Sequence, residues 1–587
     1  MLAPRSRWRF PTQTTVPSAL LAAAQELGLG PRALGLLAAR GVTSEDEVRR
    51  FLGDAAGSLH DPRLLPDAQV VADRIARARA SSEAVLVFGD FDADGITGLA
   101  ILTLALRRLG IDAIPYVPSR LEEGHGLSQA AVEAARAAGA TLIVTVDTGT
   151  SSVAEVAAAQ AAGIDVIVTD HHRVPAELPP ALAIVNPQRP DADYPERRLA
   201  GSGVAFTVAR LLIGDAALAY ADLAAIGTVA DLAPVLGENR AIVRLGLELL
   251  RTAPRPGLAA LLASARIDAD ALELESLAFA LAPRLNAAGR VGEAFDAARL
   301  LLTDDAEEAA TLAGVLDTAN ATRRDLLRSA IAEARTSPDA VDDAAAIVIR
   351  GPWPVGIVGL VAGRLADERR RPAIVGAELG SVIRASCRGA GELHLADALA
   401  ACGDLLLRHG GHAGAAGFEI RTEDWPAFRE RFLALAAKAP PADPVPAQAI
   451  DLVVRARDVD YALHRDLRRL APYGVGNPEP MVAILGLNVT RAREADGGHS
   501  QLVLKRRLDV LDGIAFGWPE LAHEVAEGDS IDVVARLMSR RFGGIESLQL
   551  EIRDAAPSGY HPEARAILEG EPVPVGPGPK VELAPAS

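Results

Sequence analysis

Asp90, Asp92 and Asp94 stand at alternate positions in the stretch VLVFGDFDADG, Val85–Gly95. Carboxylates this close repel one another, and a divalent cation relieves the repulsion, because Mg2+ and Mn2+ prefer oxygen ligands. A single Asp here would read as a helix start, where Asp caps the N-terminus and meets the positive end of the dipole. Three at alternate positions point to metal. Further acidic and imidazole groups follow: Asp147 in VTVDTGTSS, Asp170, His171 and His172 in VTDHH, and Asp231 in AIGTVADLAP. Asp231 reads equally well as a helix-terminal Asp. Asp92, Asp94, Asp147, His171 and Asp231 offer mixed oxygen and nitrogen ligands for two ions, with Asp147 as the shared carboxylate holding them about 3.5–4 Å apart. Such a pair lowers the pKa of a bridging water and clamps a phosphoryl oxygen, the chemistry of in-line attack on a phosphodiester or phosphoanhydride. Imidazole among the carboxylates leans toward Mn2+ over Mg2+. His172 is then free to hydrogen-bond the phosphate or protonate the leaving oxygen.

The elements that must position these groups are legible around them. Val85–Phe88 is a short apolar run, and Ile96 to Leu109 has helical apolar spacing, so the aspartates fall in a strand-to-helix turn. Strands are expected at Ala84–Phe88, Ala113–Val117, Leu142–Val146, Val166–Thr169 and Ala183–Val185, with helices between them. That alternation predicts a parallel sheet wrapped by helices over 66–253. In such sheets functional groups gather beyond the carboxyl ends of the strands, where Asp90 to Asp94, Asp147 and Asp170 to His172 fall.

The flanking segments are simpler. Residues 1–65 read as a helical accessory extension without catalytic signals. Residues 254–342 read as helical, with a long connecting helix near Asp305–Ala334, and Arg284, Asn286 and Arg290 in a small-residue loop before it. Strand and helix alternate again over 343–439, with strands at Ala345–Ile349 and Ala373–Val375, a helix at Gly356–Glu368, and GGHAGAAGF (Gly410–Phe418) closing the domain. Glycines at 410, 411, 414 and 417 permit close approach of backbone N–H groups to phosphate, or simply a tight packing turn. Pro440–Pro446 reads as a linker. Short strands at Leu452–Val454, Met481–Leu485, Gln501–Leu504, Gly513–Phe516, Ser530–Ala535 and Leu548–Ile552 predict a small β-barrel over 447–557. The Pro- and Gly-rich tail, 558–587, is expected to lack structure.

Composition narrows the class. The 587 residues carry a formal net charge of −17, which argues against a protein coated in positive charge for nonspecific DNA binding and leaves room for a local basic channel. Lys438, Lys505 and Lys580 are the only lysines, so the remaining cations are arginines, with their bidentate geometry for phosphate. Cys387 and Cys402 have neither metal spacing nor a disulfide framework, which fits a reducing cytoplasm. The opening MLAPRSRWRF lacks the apolar core of a secretory leader, and no run has the length of a membrane span. A soluble cytoplasmic protein is expected.

FGDFDADG, VTVDTG, TDHH and GTVADLAP, in this order, resemble the four phosphoesterase motifs of the DHH superfamily. PSRLEEGHGLS (Pro118–Ser128), GSGVAF (Gly201–Phe206), APRLNAAGR (Ala282–Arg290), GGHAGAAGF and PYGVGNPEP (Pro472–Pro480) make the chain similar to the RecJ family of exonucleases within it. The resemblance implies a DHH parallel-sheet catalytic domain, a connecting helix, a DHHA1-type α/β substrate-binding domain and a C-terminal OB-type barrel. It implies two Mn2+ or Mg2+ ions on Asp92, Asp94, Asp147, His171 and Asp231, with His172 as the second histidine of the name motif. Relatives with a pyrophosphatase-like first motif have a histidine where this chain has Phe88, and Asp90 is the expected substitute. The resemblance further implies phosphate contacts from Arg120, Arg284, Asn286, Arg290, Ser386, Arg388, Gly410, Gly411 and His412; Gly389 stands where relatives often carry Ser. Barrels of this type bind single strands through basic grooves and stacking aromatics. Lys505, Arg506, Arg507, Arg540 and Arg541 are the groove candidates, with Phe516, Trp518 and Phe542 for stacking.

The implied activity is 5′-to-3′ hydrolysis of single-stranded DNA to 5′-mononucleotides in repair and recombination, with single-strand-binding protein and a RecQ-type helicase as partners by analogy. Two alternatives stand beside it: a DHH phosphodiesterase acting on short RNA, cyclic dinucleotides or pyrophosphate, and a non-catalytic replication factor of the Cdc45 type.

Overall fold

The computed structural model describes residues 2–12, 16–120, 122–340, 344–440, 445–506, 509–542 and 545–569. The chain forms two compact units, one of Leu59–Pro444 and one joining residues up to Ser58 with those from Val445 onward.

The larger unit starts on a five-stranded sheet of β1 (Ala84–Gly89), β2 (Asp112–Tyr116), β3 (Ala140–Val146), β4 (Asp165–Thr169) and β5 (Ala183–Val185), in the order β2-β1-β3-β4-β5. All four pairings are parallel, as the alternating pattern requires. Helices cover both faces, so β1, β3 and β4 are buried almost throughout, which is why they read as continuous apolar runs. On one face lie α1 (Ala93–Arg108), α2 (Gly201–Ile213) and α3 (Ala221–Ala230), packed on one another. The apolar stretch Gly201–Ala230 has the length and hydropathy of a membrane span, but most of α2 and α3 is buried in this core.

Residues beyond α3 are helical. Arg284, Asn286 and Arg290 lie on a helix, α4 (Ala282–Val291), and not in a loop; a π-helical turn at Leu277–Leu281 leads into it. Small residues in APRLNAAGR mark close helix packing, not irregular chain. The connecting helix is α5 (Ala306–Arg335), 30 residues long and capped by Asp305, which accepts from the backbone N–H groups of Glu307 and Glu308.

The second sheet is mixed: β6 (Ile347–Gly351), β7 (Ala373–Leu379), β8 (Val382–Arg388), β9 (Leu406–Gly411) and β10 (Ala415–Arg421), in the order β9-β10-β8-β7-β6. Only β6 and β7 are parallel, with α6 (Val355–Arg369) between them. The glycine-rich GGHAGAAGF forms the turn and flanks of the β9–β10 hairpin at the sheet edge. It does not close the domain, because the helix Trp425–Ala436 follows and packs on the sheet's core.

In the smaller unit, β11 (Leu452–Arg455), β12 (Val482–Ala495), β13 (His499–Arg506), β14 (Asp509–Ala515), β15 (Ser530–Phe542) and β16 (Ile545–Pro557) follow the order β11-β12-β13-β14-β16-β15. Pairing of β12 with β15 closes a five-stranded barrel. The N-terminal residues belong to this unit and do not stand apart as a 1–65 segment. Arg7–Arg9 pairs in parallel with Ala447–Ala449. The buried carboxylate of Asp554 accepts from the backbone N–H groups of Arg5 and Ser6 and from Trp8 Nε1 at 2.8–2.9 Å. A helix at Pro562–Glu569 occupies part of the tail expected to be without structure. Most of the expected linker (441–444) and the tail from 570 onward lie outside the described residues.

Candidate active site

The ends of β1, β3 and β4 and the C-terminus of α3 deliver acidic or imidazole groups to one crevice. Asp92 caps α1, its Oδ1 accepting from the N–H groups of Asp94 and Gly95 at 3.0 and 3.1 Å, so the capping reading and the clustered reading are both true of it. Asp94 points the other way, onto the N-terminus of α2, where its two oxygens accept from Gly201 N (2.6 Å) and Ser202 N (2.9 Å). GSGVAF needs glycine at its first position: a Cβ on Gly201 would stand 2.5 Å from the Cβ of Asp147. Asp147 itself takes a left-handed backbone, φ 60°, uncommon for a residue with a side chain and found where the surroundings enforce it. Asp231 is the C-cap of α3, where a carboxylate faces the negative end of the helix dipole.

His171 sits at the centre. Its Nε2 lies 3.0 Å from Asp147 Oδ1 and 3.9 Å from Asp94 Oδ2, and its Nδ1 is 3.7 Å from Asp231 Oδ2. His172 Nδ1 lies 2.8 Å from Asp170 Oδ1 and 3.9 Å from Asp147 Oδ1. Three sets of potential ligand atoms each lie within 4.8 Å of one another: Asp147, His171 and His172; Asp94, His171 and Asp231; Asp90, Asp92 and Asp147.

The protein's own charges leave this crevice electrostatically unbalanced. Burial, then the charges of Asp90 and Asp94, raises the Asp92 carboxyl to about 6. Burial, opposed by His171 and reinforced by Asp94, raises Asp231 to about 7. Burial and the neighbouring carboxylates push Asp147 well above its ordinary range. Its Oδ1 is buried and accepts no hydrogen bond. Burial opposes charge on His172, but Asp170 outweighs it and raises the imidazole to about 9. Burial opposes charge on His171 too, and Asp231 and Asp94 more than offset it. An uncompensated buried oxygen, carboxyls with raised pKa values and convergent ligand atoms form a donor set that fits divalent cations.

Around the carboxylates stand arginines. Arg120 lies over the Phe91 ring at 4.7 Å. Arg290 is held by a bond from Nη1 to Gly356 O (2.8 Å), and its pKa is lowered to about 10 by burial and by the charges of Arg120, Arg323 and Arg388. Ser386 and Arg388, two apart on β8, share one face, and both side chains pass over Gly359 of α6. The other expected contact residues have these surroundings. Asn286 Oδ1 accepts from Ala93 N at 2.8 Å, bracing the turn that carries Asp92 and Asp94. Arg284 is paired with Asp317 at 2.9 Å. Gly410, Gly411 and His412 are exposed on the β9–β10 hairpin.

Asp170, His125 and Arg323 also bear on the site, through His172, Asp90 and Arg290. Asp170 had a signal in its place before the two histidines, and His125 in its place within PSRLEEGHGLS. Arg323 had none, because it reaches Arg290 from the middle of a long helix.

In the barrel, Trp518 is 4% exposed and Arg5 covers its ring at 4.9 Å, so it is unavailable for stacking. Phe516 is 49% exposed, and Lys505 and Arg540 are exposed. The side chains of Arg506, Arg507, Arg541 and Phe542 lie outside the described residues.

Three family models match this chain: the DHH family N-terminal domain over 84–228, the DHHA1 domain over 343–438 and the RecJ OB domain over 450–554. The single-stranded-DNA-specific exonuclease RecJ of Bacillus subtilis is 35% identical over 567 residues, spanning 95% of this chain and 72% of that protein. The chain belongs to the RecJ family of exonucleases. RecJ of Escherichia coli is 34% identical over 578 residues, 90% of this chain and 96% of that protein. The crystal structure of Thermus thermophilus RecJ with Mn2+ superposes with a TM-score of 0.80 at 32% identity, covering 94% of this chain and 80% of that one. The same protein crystallised with Mg2+ matches at 0.76. This chain thus carries the DHH, DHHA1 and OB domains of a RecJ nuclease.

Proposed function

We propose that this protein is a single-stranded-DNA-specific exonuclease that hydrolyses phosphodiester bonds with two Mn2+ or Mg2+ ions, working from the 5′ end to release 5′-mononucleotides in repair and recombination. The observation that carries the reading is the convergence of Asp90, Asp92, Asp94, Asp147, His171, His172 and Asp231, from four separate strand and helix ends, into one crevice facing arginines.

Asp92, Asp94, Asp147, His171 and Asp231 would hold the ions, with Asp147 shared. The ions supply a nucleophile from bound water at neutral pH and neutralise charge on the phosphoryl oxygens. Arg120, Arg290 and Arg388 bind and orient phosphates of the strand, and their mutual repulsion leaves an anion as the favoured partner. His172, held by Asp170, donates a proton to the leaving oxygen or a hydrogen bond to the phosphate. The barrel supplies single-strand contacts of its own, from Lys505 and Phe516. Single-strand-binding protein and a RecQ-type helicase are the partners, and the cytoplasm the compartment, by family analogy.

Single- and double-stranded DNA, each labelled at one end, should be digested with and without Mn2+ or Mg2+. Mononucleotide release from the 5′ end of single strands only, and only with the ion, is expected. A preference for dinucleotides over long strands would favour a short-oligonucleotide phosphodiesterase instead.

A further inference from the structure

Asp90 is nearly buried, with its side chain 7% exposed, and it belongs to the Asp90, Asp92 and Asp147 set whose oxygens converge. Its Oδ1 accepts from the Phe91 N–H at 2.8 Å, and its Oδ2 meets Nδ1 of His125 at 3.0 Å. His125 comes from the loop after β2, 35 residues away in sequence, and its ring packs on Phe91 at 4.5 Å. That loop is built to hold a position. Glu123 accepts from Ser119 N at 2.8 Å, from the Tyr116 hydroxyl at 3.0 Å and from the Ser128 hydroxyl. Tyr116 in turn stacks on Phe88, whose ring offers no ligand atom. Phe88 thus packs against the Tyr116 that anchors the loop bringing an imidazole back to the site.

We propose that His125 is a positioning residue: its Nδ1–H holds the Asp90 carboxylate in the orientation that completes the cation site of Asp90, Asp92 and Asp147. This rests on the two-cation reading above. A histidine–carboxylate pair of this kind orients a ligand without itself binding the ion, and loss of such partners costs about 10–100-fold in metal affinity. His125 is 69% exposed, so replacing it leaves the core intact.

The test is titration of the full chain with Mn2+ alone, following free Mn2+ by electron paramagnetic resonance. Two ions are expected to bind the wild type. His125→Ala should weaken one of them about 10–100-fold. His125→Asn, whose amide N–H lies near the Nδ1 position, should recover most of that loss. Raising Mn2+ should restore DNA hydrolysis by His125→Ala, which a substrate-binding role would not allow. Wild-type binding of both ions by His125→Ala, or equal weakening in the Asn and Ala variants, would overturn the proposal. Failure of the wild type itself to bind Mn2+ would overturn the two-cation reading and this inference with it.

Discussion

The two sheets of the larger unit handle charge in opposite ways. The parallel sheet collects carboxylates and imidazoles at its strand ends and buries them: Asp94, Asp147 and His171 are each below 5% exposed. The mixed sheet keeps Gly410, Gly411 and His412 in solvent on an edge hairpin, and half-buries Ser386 and Arg388 against α6. A parallel sheet covered on both faces has one open end, so polar groups placed there lose water and must find a counter-ion. An edge hairpin loses nothing until a ligand arrives. The first arrangement suits tight cation binding and bond cleavage, and the second suits reversible grip on a polyanion.

The largest expected effect separates the two. Asp147→Ala should reduce hydrolysis by about 10³-fold or more in a steady-state assay, through loss of transition-state electrostatics. The same variant should melt higher than the wild type in chelator, because a buried carboxylate crowded by those of Asp94 and Asp92 has gone. Arg388→Ala should raise KM for 5′-phosphorylated single strands by about 10–100-fold, the equivalent of one charge-assisted hydrogen bond, and lower kcat less. Equal losses in both constants would move Arg388 from grip to cleavage.

Stability should also depend on pH in a way the second sheet does not share. Asp92 and Asp231 rise from 3.8 to about 6 and about 7, and His172 from 6.5 to about 9. The folded state therefore binds more protons than the unfolded chain through this range, so stability falls as pH rises from about 4 to about 9. In melting curves in chelator, the midpoint should drop across that window; Mn2+ should flatten the slope, since it favours the deprotonated carboxylates. The smallest effect is expected for Arg284→Ala. Its guanidinium already pairs with Asp317, which is 41% exposed, so its removal should change single-strand affinity less than about threefold and stability by under about 1 kcal/mol.

Strand, turn and helix around each motif were readable because each is decided by neighbours a few residues apart. Apolar runs ending in Asp mark the buried parallel strands β1, β3 and β4, and all five strands of the first sheet overlap the expected runs. In the barrel each expected short strand overlaps an observed one, but β12, β15 and β16 are 14, 13 and 13 residues long, well beyond the expected bounds. The metal-type residues were readable because three carboxylates at such spacing exceed what a single helix start can use, although Asp92 also caps α1. Helical α4 was misread as a loop because its small residues look like turn formers until Phe91 and α5 are packed against them.

The amino-acid order alone determined which groups could do chemistry, and the strand ends that present them, since both follow from local periodicity and side-chain type. Only the tertiary structure decided that Asn286 braces the catalytic turn, that His125 meets Asp90, that Trp518 is sealed under Arg5, and that residues near the N-terminus complete the barrel unit. Those contacts join positions from 35 to more than 500 residues apart. No local preference encodes them; they exist because burying the sheets' apolar faces brings those segments together.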